Sequence, residues 1–151
     1  MKKEKINFYF GLLFFIGIVM SFIIPMVFYK GWNTVKYAKV PESNTGIETL
    51  IHHLDECHVS NKEVKVRGWA TPVSGYGQNI VYARTDKGDI SLRTSIQTRT
   101  DVSTVMNKPG LYDKSGYVAS ISLPDNIKLL SVVIVTKNSD KLYALEENCE
   151  Q

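Results

Sequence analysis

The stretch LIHHLDECH, residues 50–58, holds all three histidines of the chain and one of its two cysteines. His52, His53, Asp55, Glu56, Cys57 and His58 put six metal-ligating side chains into seven residues. In a helix, His53 and Cys57 would share one face, and so would His52 and Glu56. In a strand, His52, Glu56 and His58 would share one side, with His53, Asp55 and Cys57 on the other. Neither arrangement closes a tetrahedral zinc shell, and the paired C-x-x-C spacing of structural zinc sites is missing. The adjacent rings of His52 and His53 point apart, and an oxidised Cys57 could not ligate at all. His52, His53 and His58 therefore stand as weak metal candidates. The expectation is no metal and no cofactor, with the cluster forming a solvated helix end that runs into the first strand.

Nucleophilic chemistry is no better provided for. VSGYGQN sets Ser74 in a loop without the flanking glycine of a nucleophile elbow. The same glycine-rich segment matches neither phosphate-binding fingerprint. Nothing in the sequence positions a Ser–His–acid triad, which is defined by geometry. Tyr76 in that loop and Tyr112 in KPGLYDKSG are the candidate binding contacts, because loop-borne aromatics make effective anchors. No catalytic residue is assigned, and the chain is expected not to be an enzyme.

The elements that carry these residues fall into two chemically distinct parts. Residues 6–29, INFYFGLLFFIGIVMSFIIPMVFY, are 24 residues without a charge, and all six phenylalanines lie between Phe8 and Phe28. A helix of this length exceeds the roughly 30 Å hydrocarbon core of a bilayer. Tyr9 at one end, with Tyr29 and Trp32 at the other, suits interfacial belts. A cleaved signal peptide has a shorter apolar core and a small-residue cleavage site. MVFYKGW offers no such site, so an uncleaved signal anchor is expected. A short tail bearing three lysines resists translocation, whereas long domains cross largely regardless of charge. The N-terminus is accordingly placed in the cytoplasm and the rest outside it, in a Gram-negative cell the periplasm, with the anchor in the inner membrane.

Charge divides the same way. Residues 1–39 carry six lysines against Glu4, while residues 40–151 carry twelve basic against fourteen acidic side chains. The overall +3 thus belongs to the membrane flanks, and the mildly acidic remainder lacks the basic footprint of a nucleic-acid binder. Cys57 and Cys149 suit an oxidising compartment and are the disulfide candidates. A pair of unlinked thiols is the alternative, since pairing is not readable from sequence.

The expected organisation is a cytoplasmic tail at 1–5, a transmembrane anchor at 6–29, a linker at 30–45 and a soluble domain at 46–151. Thr45 and Glu48 form a capping-box pattern. Ile47, Leu50, Ile51 and Leu54 follow at helical spacing, predicting a short helix to about His53. Beyond it the period becomes two: EVKVRGWA alternates, and NIVYARTDKGDISLRTS reads as a hairpin turning at Gly88. YVASISL, LLSVVIVT and KLYALE give further strands, the last two pairing. DVSTVM is expected to form one helical turn with Asp101 as its N-cap. Six or so short strands with little helix between them predict a mostly β fold, an antiparallel sandwich.

Three elements together resemble a known family. VKVRGWA (64–70), RTDV (99–102) and SGY (115–117) are similar to the G-W-A … R-x-D-V … S-G-F pattern of immunoglobulin-like β-sandwich domains in bacterial envelope proteins. The resemblance covers about residues 54–146, and Tyr117 departs from it where the pattern has Phe. It implies structural roles for Gly68, Trp69, Ala70, Arg99, Asp101, Val102, Ser115, Gly116 and Tyr117. Trp69 would be buried between the sheets, and Arg99 with Asp101 would order the long connector through a charge-assisted pair.

Such domains often accompany glycosyltransferases or other polysaccharide-handling membrane proteins. The resemblance therefore implies a non-catalytic accessory module, with an integral-membrane partner and glycan as a candidate ligand. A small exclusion or inhibitor protein acting on an envelope transporter or receptor is the rival expectation. A metal-binding protein using residues 52–58 ranks below both.

Overall fold

The computed structural model describes the backbone of residues 2–60 and 63–149. It divides into two compact units, residues 1–34 and 35–151. The first is helix α1, Lys2–Asn33, with Pro25 inside it. Its stretch Gly11–Gly31 has a mean hydropathy of 2.5 and is long and apolar enough to cross a membrane. Apolar side chains occupy every side of it and none is buried, unlike the single stripe of a surface helix. The side chains of Lys2, Lys3, Lys5 and Trp32, part of the reading of the flanks, lie outside the described residues.

The second unit is mostly β, with eight strands among the described residues. In order they are β1 (Leu50–Ser60), β2 (Glu63–Pro72), β3 (Gln78–Thr85), β4 (Gly88–Ser91) and β5 (Arg93–Gln97), then helix α2 (Thr100–Val105), β6 (Gly116–Ser122), β7 (Leu129–Asn138) and β8 (Lys141–Glu147). They form two four-stranded antiparallel sheets, ordered β1-β2-β6-β5 and β4-β3-β7-β8. The core between them is aliphatic. Val64, Val66 and Ala70 of β2 meet Val81, Ala83, Val132 and Ile134 of β3 and β7, all essentially inaccessible to water.

The chain passes from one sheet to the other at Leu92, the single residue between β4 and β5, whose N–H donates to the Val81 carbonyl at 2.9 Å. A second seam is covalent: Cys57 on β1 and Cys149 after β8 form a disulfide with Cα atoms 5.0 Å apart. The cross-link closes 92 residues and joins an edge strand of one sheet to the segment beyond an edge strand of the other.

Two sequence expectations fail here. Residues 46–53 do not form a capped helix; only Ile47–Thr49 make one 3-10 turn, Gly46 is its N-cap, and Leu50 is already extended. Leu50 and Leu54 are four apart, which puts them on one face in a strand as well as in a helix. Ten residues of ladder with β2 then outweigh one turn of helix. The linker expected at 30–45 is also divided differently. Its first residues continue α1, and residues 36–44 lie against the sheet β4-β3-β7-β8. Ala38 N–H donates to the Asp89 carbonyl at 2.9 Å and Asn44 N–H to the Leu142 carbonyl at 3.2 Å, so this strap crosses from one sheet edge to the other.

Candidate functional site

β1 carries the ligand-rich stretch, and a bulge decides where its side chains go. The register steps from Leu54 opposite Gly68 to Glu56 opposite Arg67, leaving Asp55 as the extra residue. A bulge reverses the in–out alternation beyond it. Leu54 packs on the core before the bulge, and Cys57 and Val59 pack on it afterwards. An uninterrupted strand would have turned Glu56 and His58 inward and Cys57 outward. The bulge therefore brings Cys57 to Cys149.

The histidines do not converge. His52 Nε2 lies 3.6 Å from Glu147 Oε1 and His53 Nε2 lies 3.9 Å from Asp55 Oδ1, on side chains that water reaches. Among the described residues no three or more His, Cys, Asp or Glu side chains gather as a metal site would require.

What the bulge does gather is the motif. Asp55 accepts a hydrogen bond from Arg99 Nη1. On its other side Arg99 grips Asp101, with Nε 2.9 Å from Oδ1 and Nη2 2.8 Å from Oδ2. Arg99 is only 15% exposed although it lies just before α2, because it runs over Gly116. A Cβ on Gly116 would approach Arg99 Cγ to 2.6 Å and the Gln97 carbonyl oxygen to 2.5 Å. Gly68 is constrained in the same way, since a Cβ there would press on the His53 carbonyl and come within 2.8 Å of the Tyr117 hydroxyl. Register places Gly68 opposite Tyr117 and Trp69 opposite Gly116. The two glycines thus leave room for the Tyr117 hydroxyl and for the stem of Arg99 against the strands.

The charges respond to this arrangement. The hydrogen bond from Arg99 holds the Asp101 carboxyl below the usual carboxylate range, and Asp101 followed by Asp55 raises Arg99 further. Burial pushes the Tyr117 hydroxyl well above its ordinary value, with the Asp55 and Glu147 charges adding to it. Two carboxylates facing one guanidinium make a clamp between β1 and the connector after β5.

Several placements differ from expectation. Trp69 is on the outer face with Lys65 and Arg67, partly exposed, not between the sheets. Unbroken alternation from Val64 and Val66 turns Gly68 and Ala70 inward and Trp69 outward. Tyr112 is 2% exposed, with its hydroxyl donating to the Val73 carbonyl at 2.9 Å, so it fastens two loops together and offers no tip for a ligand. Tyr76 remains exposed. The N-cap of α2 is Arg99, while Asp101 sits in its first turn and Val102 is buried beneath it.

Sequence reasoning missed two residues altogether. Asp55 was counted as a metal ligand, whereas it completes the Arg99 clamp. Asn79, 7% exposed, spans the sandwich interior. Its Nδ2 donates to the Ala70 and Ser115 carbonyls at 2.9 and 2.7 Å, and its Oδ1 accepts from Thr136 Oγ1 at 2.6 Å. An Asn directly before the apolar run IVYA was the only signal available. Ser115 Oγ is buried and has no hydrogen-bond partner among the described residues. Comparison of the chain with family models, with curated proteins and with solved structures found no match.

Proposed function

We propose that this chain is a membrane-anchored extracytoplasmic module that acts by contact and not by catalysis. The observation that carries the reading is the union in one chain of an apolar helix long enough to span a bilayer and a domain closed by a disulfide. The charged groups of the motif support it further, because Arg99 binds both Asp55 and Asp101 and so ties β1 to the connector after β5.

The domain is read as immunoglobulin-like. If β1 to β8 are named A, B, C, C′, D, E, F and G, one sheet is ABED and the other C′CFG, the strand order of that fold with one added strand. Its partner is an integral-membrane protein that handles envelope glycans, a step that rests on the resemblance to the G-W-A … R-x-D-V … S-G-F pattern, from which Tyr117 departs. Anchoring raises the effective concentration of such a partner, so a weak contact suffices.

The test has two stages. Protease added to spheroplasts should digest the domain and spare α1; a protected domain with reduced cysteines would overturn the extracytoplasmic placement. A mild-detergent pull-down at native expression should then recover a polytopic glycosyltransferase or polymerase in stoichiometric amount. Recovery of the chain alone would overturn the accessory-subunit reading.

A further inference from the structure

The strap at residues 36–44 covers something made to hold an extended chain. At one edge Ser91 N–H donates to the Lys36 carbonyl at 3.1 Å, and Tyr37 bridges Ile90. At the other edge Leu142 N–H donates to Asn44 Oδ1 at 2.7 Å, and Ser43 Oγ donates to the Leu142 carbonyl. Between these pins Val40, 9% exposed, seats on an apolar strip of Tyr82, Val133 and Val135, with Ala38 beside it. Among the described residues no hydrogen bond joins residues 39–42 to the sheet; Lys39 and Glu42 pair with each other instead. This middle section is one wall of a groove of about 350 Å³, whose other wall is on the sheet. Its polar wall is Arg84, held by Asp89 and Glu146.

A segment held by hydrogen bonds only at its two ends, and by one buried side chain between them, is the kind that opens locally ahead of global unfolding. Opening would strip the partners from two sheet edges and from an apolar strip, the elements used to recruit an added extended chain. The strap displays what this sheet face accepts: a segment with one β-branched aliphatic plug, a small residue two positions before it and an amide side chain four positions after it.

We propose that this face is an extended-peptide site, occupied in cis by residues 36–44 and open to a segment of the same pattern from a partner protein. The inference rests on the reading of the chain as a contact module and names the surface the contact would use.

Hydrogen exchange on the full chain in detergent tests the opening. The Ser91 and Leu142 amides should exchange at least tenfold faster than those of Val133 and Val135; equal rates would make the strap a fixed part of the fold and overturn the proposal. A labelled peptide of residues 36–46 tests the site. It should bind the full-length Val40→Asp variant at least tenfold tighter than the unmodified chain, and the peptide carrying Val40→Asp should not bind. Equal binding of both peptides, or no binding to a variant whose strap amides exchange rapidly, would overturn it. Neither readout uses a membrane partner, so an empty pull-down leaves them intact, and a fixed strap leaves the anchored-module reading intact.

Discussion

On β2 the outward side chains are Lys65, Arg67 and Trp69, while on β7 they are Val133 and Val135. Both strands are central in their sheets and both line the same core with their other faces. The difference lies beyond the sheet. Lys65 and Arg67 are exposed, whereas the strap lies over Val133 and Val135. Strands wet on one side alternate, and strands covered on both sides run continuously apolar. VKVRGW and VVIV are therefore records of two different environments. A half-covered sandwich has one face open to polar side chains and one committed to a segment that precedes the strands in the chain.

The largest effect should come from the covalent seam that holds the two sheets together. Replacing both Cys57 and Cys149 by Ser frees a 92-residue loop, for which chain entropy predicts a loss of about 4–5 kcal/mol. Guanidinium unfolding of the oxidised and substituted chains measures it, and a loss below about 1 kcal/mol would show that the seam carries little of the stability. Asn79→Ala should follow at about 2–3 kcal/mol, because two carbonyls and the Thr136 hydroxyl lose their partner in a buried place.

The sharpest test of the contrast between the faces is a matched pair. Val133→Ala under the strap should cost about 1.5 kcal/mol, from the transfer value of two methylene equivalents. Val118→Ala on the open face, where Val118 is 38% exposed, should stay within about 0.5 kcal/mol. Equal costs in thermal or chemical unfolding would mean that the strap does not cover its face in solution.

The smallest effect is one of pH. Asp101 has a folded pKa below its unfolded value, so the stability it contributes is present above the unfolded pKa and is lost as pH falls through the folded one. The melting temperature should therefore decline below about pH 4, the usual carboxylate value. Asp101→Asn should be less stable at neutral pH and show a shallower decline. An identical decline in the variant would remove Asp101 from the clamp.

Much of this was legible locally. The charge-free run at 6–29 predicted α1, the alternation in EVKVRGWA predicted β2, and TDKGD predicted the β3–β4 hairpin. The failures share a cause. LIHHL satisfies the helical and the even period together, and the choice between them belongs to β2, its partner in the ladder. Tyr112 in a Lys-Pro-Gly-rich segment resembles a loop tip, yet it is buried because Val73 offers its hydroxyl an acceptor. Asp55 looks like one more ligand in a cluster until the bulge presents it to Arg99.

By itself the sequence determined which segments are apolar, which alternate and which carry charge, because those properties depend on neighbours a few residues away. Tertiary structure alone decided that a bulge would turn Cys57 toward Cys149, that Asn79 would tie the sheets together, and that a stretch resembling a linker would lie across a face of the domain. Each of these depends on a backbone group or a surface supplied from elsewhere in the chain, and no local pattern specifies what that distant partner will be.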